Sequence, residues 1–272
     1  MRERSLIIQC SNSCPCMCPG CYNFFSNKQI SSKDIEDFVR AYKDLFDLQK
    51  VTLSGGDPLL RNDIAFLINK LLELKLVITI DTVGTRLLNP IDSKLLAMLE
   101  KIDYLGIPLD GVCDQTIQYF RQQISFQQCI KIIERAKQAK ASICINTVAH
   151  AKNKDEIMKI SAIVNEDPAI HKWQVFQFMP IGPGGYANKS FYGIQNDDFN
   201  SIIEILKKLG FRKSLHVDFK SIEDRKNQYL ILDCDGVLWI PQIGNGRIIV
   251  GDIHDVCIFD RINNIVFDNE KV

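Results

Sequence analysis

The sequence lacks any apolar run long enough to cross a membrane. A membrane-spanning helix needs about 20 consecutive apolar residues, and no such run occurs among the 272 residues. The start of the chain also lacks the apolar segment and small-residue cleavage site of a secretory signal peptide. These absences argue against a membrane protein and predict a cytoplasmic one, in which thiols stay reduced.

Net charge is also missing. The 33 Lys and Arg residues balance 33 Asp and Glu residues, and there is no internal repeat or low-complexity segment. A neutral chain has no overall attraction for nucleic acid or for an anionic membrane, so neither DNA nor a membrane is expected as a partner. Because 46% of the residues are hydrophobic, the chain can bury a sizeable core in one or two domains.

Strand-like and helix-like segments alternate over the first two thirds of the chain. The helical segments repeat apolar residues every three or four positions, as in Ile35, Phe38, Val39 and Tyr42. The β-rich runs between them lie at 5–10, 50–54, 76–81, 104–109, 142–148 and 173–178. This alternation predicts an α/β fold, a partial (β/α)6 TIM-type barrel over residues 1–180. In such a barrel the chemistry lies at the carboxyl ends of the strands.

The pattern changes after Phe178. The segment "MPIGPGGYANKSFYG" is a loop rich in Gly and Pro. Further on, "YLILDCDGVLWIP" predicts two strands joined by a turn at Asp235 and Gly236. We interpret residues 181–272 as a short C-terminal α/β extension that covers the barrel. Within the loop, "GPGG" either cradles a phosphate through its backbone amides or is a plain loop.

Five of the ten cysteines lie between Cys10 and Cys21. Cys14, Cys18 and Cys21 follow the first predicted strand with x3 and x2 spacing, and thiolates so placed can hold an iron–sulfur cluster. Three ligands to a four-iron cluster leave one iron open for a small molecule. Cys10 then ends a buried strand, and Cys16 is a bystander in the loop.

Two other interpretations of these cysteines remain open. Disulfides are disfavoured in a cytoplasmic protein. A structural zinc ion could take four of the five thiolates as ligands, and the chain would then be a zinc-knuckle binding module and not an enzyme.

Polar residues follow the later strands. The second strand ends in "LSGGDP", where Gly55 and Gly56 allow close backbone approach to a ligand or simply form a tight turn. The strand ends that come next contribute Asp81, Thr82, Asp110, Asn146 and Gln177. Together these positions predict a cavity for a cofactor and a substrate at the mouth of the barrel.

The cysteine spacing and "LSGGDP" resemble the signatures of the radical S-adenosylmethionine (SAM) superfamily. Asp57 stands where the family's Gly-Gly-Glu-Pro motif has Glu, and Gly20 stands where the family often has an aromatic residue. The resemblance implies that Cys14, Cys18 and Cys21 hold a [4Fe–4S] cluster whose open iron binds SAM. The residues that it places around SAM or the substrate are Gly55, Gly56, Asp57, Thr82, Asp110 and Asn146.

The same resemblance implies an oxygen-sensitive reaction. The reduced cluster cleaves SAM to a 5′-deoxyadenosyl radical, which abstracts a hydrogen atom from the substrate. A flavodoxin- or ferredoxin-type protein is the implied electron donor. Candidates for direct contact with the substrate are Gln177 and, in the Gly-rich loop, Tyr186 and Tyr192.

Three groups within the superfamily share segments with this chain. Residues 142–233, with "INTV", "KWQVFQF" and "QYLILD", resemble viperin-like enzymes, which implies a small organic substrate such as a nucleotide. Lys28 and Lys172 are then the remaining candidates to bind a triphosphate. "CPGCYN" resembles activases of the anaerobic ribonucleotide reductase, which act on a partner enzyme. Residues 233–253 resemble the extension of peptide-modifying members, with Gln242 in place of a cluster cysteine, which predicts an extension without metal.

Overall fold

The structure is a computed structural model that describes residues 4–226 and 228–268. Its ten strands are β1 (Ser5–Ser11), β2 (Lys50–Gly55), β3 (Val77–Asp81), β4 (Tyr104–Pro108), β5 (Ile143–Ala149), β6 (Ile170–Gln177), β7 (His216–Lys220), β8 (Ile231–Leu232), β9 (Val237–Pro241) and β10 (Arg247–Asp252). They form one sheet with the order β10-β9-β8-β1-β2-β3-β4-β5-β6-β7.

The helices of the described residues connect and cover these strands. They are α1 (Ser32–Phe46), α2 (Ile64–Glu73), α3 (Ser93–Leu99), α4 (Asp114–Phe120), α5 (Phe126–Gln138), α6 (Ile157–Glu166), α7 (Gly182–Ala187), α8 (Lys189–Tyr192), α9 (Asn196–Leu209), α10 (Ile222–Arg225) and α11 (Ile258–Asp268). The Ser31 hydroxyl accepts a hydrogen bond from the Asp34 N–H and so begins α1. The apolar face of α1, including Ile35 and Val39, is fully buried against the sheet.

The predicted fold class is confirmed. Strands β1 to β7 run parallel in chain order, joined by crossovers that carry helices. The six predicted strands agree with β1 to β6 to within three residues at each end. The sheet stays open because β7 and β10 lie at its two edges and do not pair with each other, so the barrel is partial.

The strands beyond residue 180 continue the sheet of the barrel at both edges. Strand β7 pairs in parallel with β6, and β8 pairs in parallel with β1. The predicted turn at Asp235 and Gly236 joins β8 to β9, which pair antiparallel. The division of the chain at residue 180 stays a prediction. Within the described part of the chain, no helix has both the length and the apolarity to cross a membrane.

Candidate active site

A cavity of about 760 Å³ opens at the carboxyl ends of the strands. That volume lies in the usual range of about 300–1,000 Å³ for small-molecule sites. The wall consists of the loop after β1, the ends of β2 to β6, the end of α4 and the last residue of α10. Three charged side chains lie in it, Asp81, Arg121 and Arg225. The cavity therefore has the position predicted from the sequence.

The loop after β1, residues 12–25, is called the cysteine loop below. Cys14, Cys18 and Cys21 all line the cavity, and the Cys21 N–H donates a hydrogen bond of 3.1 Å to the Cys18 carbonyl. Among the described residues, no three Cys, His, Asp or Glu side chains are arranged to hold a single metal ion. Cysteine thiolates are the usual ligands of iron–sulfur clusters, and three such thiols line this one cavity.

The thiols of the loop differ in acidity. A hydrogen bond from Cys16 and the nearby Arg121 guanidinium lower the pKa of Cys18, against the opposing effect of burial. Burial raises the pKa of Cys14, and that of Cys21 to about 11. Of these three thiols, Cys18 is thus the one whose surroundings favour the thiolate.

The glycines of "LSGGDP" hold the start of the cysteine loop. The Gly56 N–H donates to the Ser11 carbonyl and the Asp57 N–H to the Ser13 carbonyl, each at 2.6 Å. A Cβ atom on Gly56 would lie 2.2 Å from the Ser13 oxygen, and one on Gly55 would lie 2.5 Å from the Ser11 oxygen. Both glycines also line the cavity. A side chain at Gly55 is therefore excluded by the end of β1, and one at Gly56 by the cysteine loop.

The glycines of "GPGG" hold the end of the same loop. A Cβ atom on Gly182, whose φ is +68°, would lie 2.2 Å from the Tyr22 carbonyl oxygen. One on Gly184 would lie 2.7 Å from the carbonyl oxygens of Pro19 and Cys21. Gly185 adds a hydrogen bond from its N–H to the Cys21 carbonyl at 3.2 Å. This segment is therefore a helical turn packed on the cysteine loop.

A close steric contact also explains why glycine occupies position 20. A Cβ atom there would lie 2.3 Å from Cε2 of the Phe120 ring. Phe120 lines the cavity beside Gly20. An aromatic ring is thus present at this point of the wall, supplied by α4 and not by the cysteine loop.

Asp57 and Thr82 are bonded to each other. The Thr82 hydroxyl donates to the Asp57 carboxylate at 2.5 Å, and the same carboxylate oxygen accepts from the Leu59 N–H at 3.1 Å. Asp57 is fully buried, and burial raises its pKa. Thr82 lines the cavity but Asp57 does not. The structure thus uses the Asp57 side chain to join the ends of β2 and β3.

Asp81 presents a carboxylate to the cavity. Its Oδ1 accepts a hydrogen bond of 2.8 Å from the Asn146 amide. Gly106 makes room for this pair, because a Cβ atom there would lie 2.1 Å from Oδ1. Burial raises the pKa of Asp81 to about 6, and the Asn146 hydrogen bond opposes that rise. The second oxygen accepts no hydrogen bond from a described residue, which leaves it available to a ligand.

Arg121 connects the cysteine loop to Asp110. Its Nε donates to the Asp110 carboxylate at 2.5 Å, and the other Asp110 oxygen accepts from the Val148 N–H at 2.7 Å. Although burial opposes it, the Asp110 charge raises the pKa of Arg121. Asp110 is buried outside the cavity wall, whereas Arg121 lines it. Asp110 thus acts on the cavity through Arg121.

Gln177 lines the cavity and uses its whole side chain to anchor other segments. Its amide nitrogen donates to the Ile194 carbonyl at 3.2 Å and to the Asn196 side chain at 2.8 Å. Its amide oxygen accepts from the Ile222 N–H at 2.9 Å. These contacts position α9 and α10 at the end of β6.

The two candidate tyrosines lie outside the cavity wall. Tyr192 is buried against Phe120 and Phe178, and its hydroxyl donates to the Tyr119 carbonyl. Tyr186 is exposed, with the Lys189 ammonium 3.9 Å from its ring centre.

Of the other sequence candidates, the structure brings Cys14, Cys18, Cys21, Gly55, Gly56, Thr82, Asn146 and Gln177 to one wall. Lys172 pairs with Asp218 at 3.0 Å and lies outside that wall, as does Lys28. Cys10 is buried at the end of β1, as predicted. Sequence reasoning missed Arg121 and Arg225, because each is a single arginine in a polar helical segment without a motif.

The sequence model of the radical SAM superfamily matches residues 8–162, more than half of the chain. A probable GTP 3′,8-cyclase of Saccharolobus islandicus is 24% identical over 190 residues, which is 70% of this chain and 59% of that protein. The GTP 3′,8-cyclase of Clostridium perfringens is 28% identical over 211 residues, 75% of this chain and 61% of that protein. The chain thus spans about three fifths of the length of these curated relatives.

Solved structures show the same fold. Streptococcus suis SuiB bound to S-adenosylmethionine superposes with a TM-score of 0.71 at 16% identity, over 95% of this chain and 65% of that one. SuiB is also known bound to its precursor peptide SuiA, with a TM-score of 0.68 at 17% identity, over 87% of this chain and 59% of that one.

The chain belongs to the radical SAM superfamily, whose members are enzymes that use a [4Fe–4S] cluster and SAM. This membership confirms the resemblance drawn from the cysteine loop and the glycine motif. It overturns the alternative that the chain is a zinc-knuckle binding module and not an enzyme.

Proposed function

We propose that Cys14, Cys18 and Cys21 hold the [4Fe–4S] cluster and that the protein cleaves SAM reductively to start a radical reaction on a small organic substrate. The observation that carries this proposal is that the three thiols line one cavity together with Gly55, Gly56, Thr82 and Asn146. When bound, the cluster and SAM supply the electron and the radical.

The chain's own residues would then bind, orient and exclude water. The glycine contacts fix the cysteine loop at both ends, which presets the positions of the three thiols before metal arrives. Asp81, with one oxygen held by Asn146, offers a hydrogen-bond acceptor to an ammonium or hydroxyl group of SAM or the substrate. Phe120, Phe176 and Phe178 line the cavity as well and limit the access of water to the reacting atoms.

A nucleotide-like small molecule is the substrate class we favour. The curated relatives are named for a reaction on GTP, and the cavity volume of about 760 Å³ suits cofactor and small substrate. A flavodoxin- or ferredoxin-type protein would supply the electron.

A peptide substrate is the second candidate. It is favoured by the fold shared with SuiB, which is known bound to a precursor peptide.

The test is anaerobic reconstitution with iron and sulfide, reduction with dithionite in the presence of SAM, and measurement of 5′-deoxyadenosine. Cys18→Ala should abolish this product, because three thiolates are needed to hold the cluster. Cys16→Ala should leave most of it, since Cys16 lies in the same loop and cavity wall but outside the proposed ligand set.

Equal loss in the two variants would show that the ligand assignment is wrong. Absence of 5′-deoxyadenosine from the wild-type protein, with iron and sulfide bound, would overturn the proposed reaction. Addition of GTP, or of a peptide, to the same assay separates the two substrate classes, because the true class should stimulate SAM cleavage.

A further inference from the structure

The two arginines in the cavity wall differ in their partners. Arg121 is paired with the buried Asp110 carboxylate. Arg225, beside the end of β6, forms no ion pair with any carboxylate of the described residues. The Asp224 carboxylate on the same turn is bound to the Ser221 N–H at 2.9 Å and to its hydroxyl at 2.7 Å.

Arg225 is fixed in place by backbone carbonyl groups. Its Nη2 donates to the Gln177 carbonyl and its Nε to the Ser221 carbonyl at 3.2 Å. Its guanidinium carbon lies 5.6 Å from the centre of the Phe176 ring. These contacts hold the side chain in one position against the cavity wall, which reduces the entropy that a ligand contact would cost.

The α10 turn is built to present this side chain. Ser221 and Asp224 form a reciprocal cap at its start. The Gln177 side chain binds the Ile222 N–H, so the turn is tied to the end of β6. The cap and the hydrogen bond from the turn to Gln177 fix the backbone of α10, and so fix the position from which the Arg225 side chain extends.

The guanidinium keeps donors free for a ligand. A guanidinium has five N–H donors, and the contacts above use one on Nε and one on Nη2. Nη1 donates to none of the described residues. Burial lowers the pKa of Arg225, against the opposing effects of the nearby Tyr229 and Asp224, although an arginine remains protonated. A cation held this way gains a partner when an anion enters the cavity.

We propose that Arg225, held against Phe176, binds an anionic group of the substrate, a phosphate or a carboxylate. This inference rests on the proposed function, because it places the substrate in the same cavity. It narrows the substrate to molecules with a negative charge near the end of β6. Neither Lys172, which is paired with Asp218, nor Lys28, which lies outside the wall, supplies that charge recognition.

The experiment is calorimetric titration of the reconstituted, SAM-loaded protein with two pairs of probes. GTP and guanosine differ in their phosphates, and succinate and succinamide differ in their carboxylates. The wild-type protein should bind the charged member of at least one pair more tightly than the neutral one. Arg225→Gln should weaken binding of that anion by about 10- to 100-fold and leave the neutral member unaffected.

Arg225→Lys keeps the charge but loses the planar fork, so a smaller loss is expected. If the Arg225→Gln variant does not fold, the anion affinity of Arg225→Lys tests the proposal instead. Arg212→Gln is the matched control. Arg212 is likewise held by backbone carbonyls, of Val164 at 2.6 Å and Asn165 at 2.7 Å, but lies outside the cavity wall. Its anion affinity should equal that of the wild type.

Preference for GTP over guanosine identifies a phosphate as the anion, and preference for succinate over succinamide identifies a carboxylate. The proposal is wrong if neither anion binds better than its neutral partner, or if Arg225→Gln binds the anion as tightly as the wild type. It is also wrong if Arg225→Gln loses affinity for SAM alone, because Arg225 would then bind the SAM carboxylate. Production of 5′-deoxyadenosine by the wild type tests the proposed function separately, so the two failures are distinguishable.

Discussion

The mouth of the barrel and its interior are held together by different means. At the mouth, Gly56, Gly182 and Gly184 let backbone segments approach the backbone of the cysteine loop closely. In the interior, side chains of different strands contact one another, as in the Lys172–Asp218 pair at 3.0 Å between β6 and β7 and the Asp81–Asn146 pair at 2.8 Å across β4. The mouth thus depends on the absence of side chains at these glycines, whereas the interior depends on which side chains are present.

The largest effects are expected at the mouth. Gly56→Ala and Gly182→Ala should each reduce stability by about 2–4 kcal/mol, because the new Cβ would lie 2.2 Å from a carbonyl oxygen of the cysteine loop. Displacement of the loop should also lower the iron bound after reconstitution. Thermal unfolding and iron content measure the two effects.

Gly246→Ala is the matched control for these variants. No atom lies within 4 Å of a Cβ placed on Gly246, so its stability should stay within about 0.5 kcal/mol of the wild type. Wild-type iron content in Gly56→Ala would show that the contact with Ser13 does not position the cysteine loop.

Effects of opposite sign are expected from two carboxylates in the interior, and the first is about as large as the effects at the mouth. Burial raises the pKa of Asp81 to about 6, so ionisation of Asp81 opposes folding. The penalty is absent below about pH 4, grows as the pH rises to about 6, and amounts to about 3 kcal/mol above it. Asp81→Asn should therefore raise the free energy of unfolding at pH 7.5 and have little effect near pH 4.

Ionisation of Asp218 has the opposite effect on stability to that of Asp81. Despite partial burial, the hydrogen bond from Lys172 lowers its pKa, so its charge stabilises the fold above the usual carboxyl pKa and the benefit is lost as the pH falls below about 4. Asp218→Asn should reduce stability at pH 7.5 by about 1 kcal/mol. Urea unfolding at pH 4 and 7.5 measures both variants. The same sign of change for the two at pH 7.5 would contradict this account of the interior.

An effect as small as that of Asp218→Asn is expected from a side chain at the mouth. The Asn188 amide donates to the Pro19 carbonyl at 2.8 Å and to the Gly184 carbonyl at 3.1 Å. Asn188→Ala should cost about 1 kcal/mol and lower the melting temperature by about 2–4 °C. A loss as large as that in Gly182→Ala would mean that side chains, and not glycine contacts, hold this end of the loop.

The mouth was easier to predict from the sequence than the interior. The spacing of Cys14, Cys18 and Cys21 and the "LSGGDP" segment identified the loop and the strand end that supports it. Both can be recognised in the sequence because a local geometric constraint requires particular residues at fixed spacing. The role of "GPGG" was not predicted, since its contact with residues 19–22 spans more than 150 residues of sequence.

The contacts between side chains of different strands, and the two arginines of the cavity, were not predicted from the sequence. Asp81 and Asn146 lie 65 residues apart and meet only because β3 and β5 flank Gly106 on β4. Asp57 and Asp110 follow strands as the predicted ligands should, but the structure turns their carboxylates into the protein. Strand β7 was missed because charged residues that face the interior interrupt its apolar pattern.

The contacts of the cysteine loop also have an order in time. The Asn188 side chain contacts the Pro19 carbonyl across 169 positions of sequence. During synthesis, which proceeds from the N-terminus, the three thiols therefore leave the ribosome long before the segment that fixes them. On the proposed ligand assignment, the loop has the correct shape for a cluster only after residues 182–188 have been made. We therefore expect metal to be loaded late, after most of the chain has been synthesised.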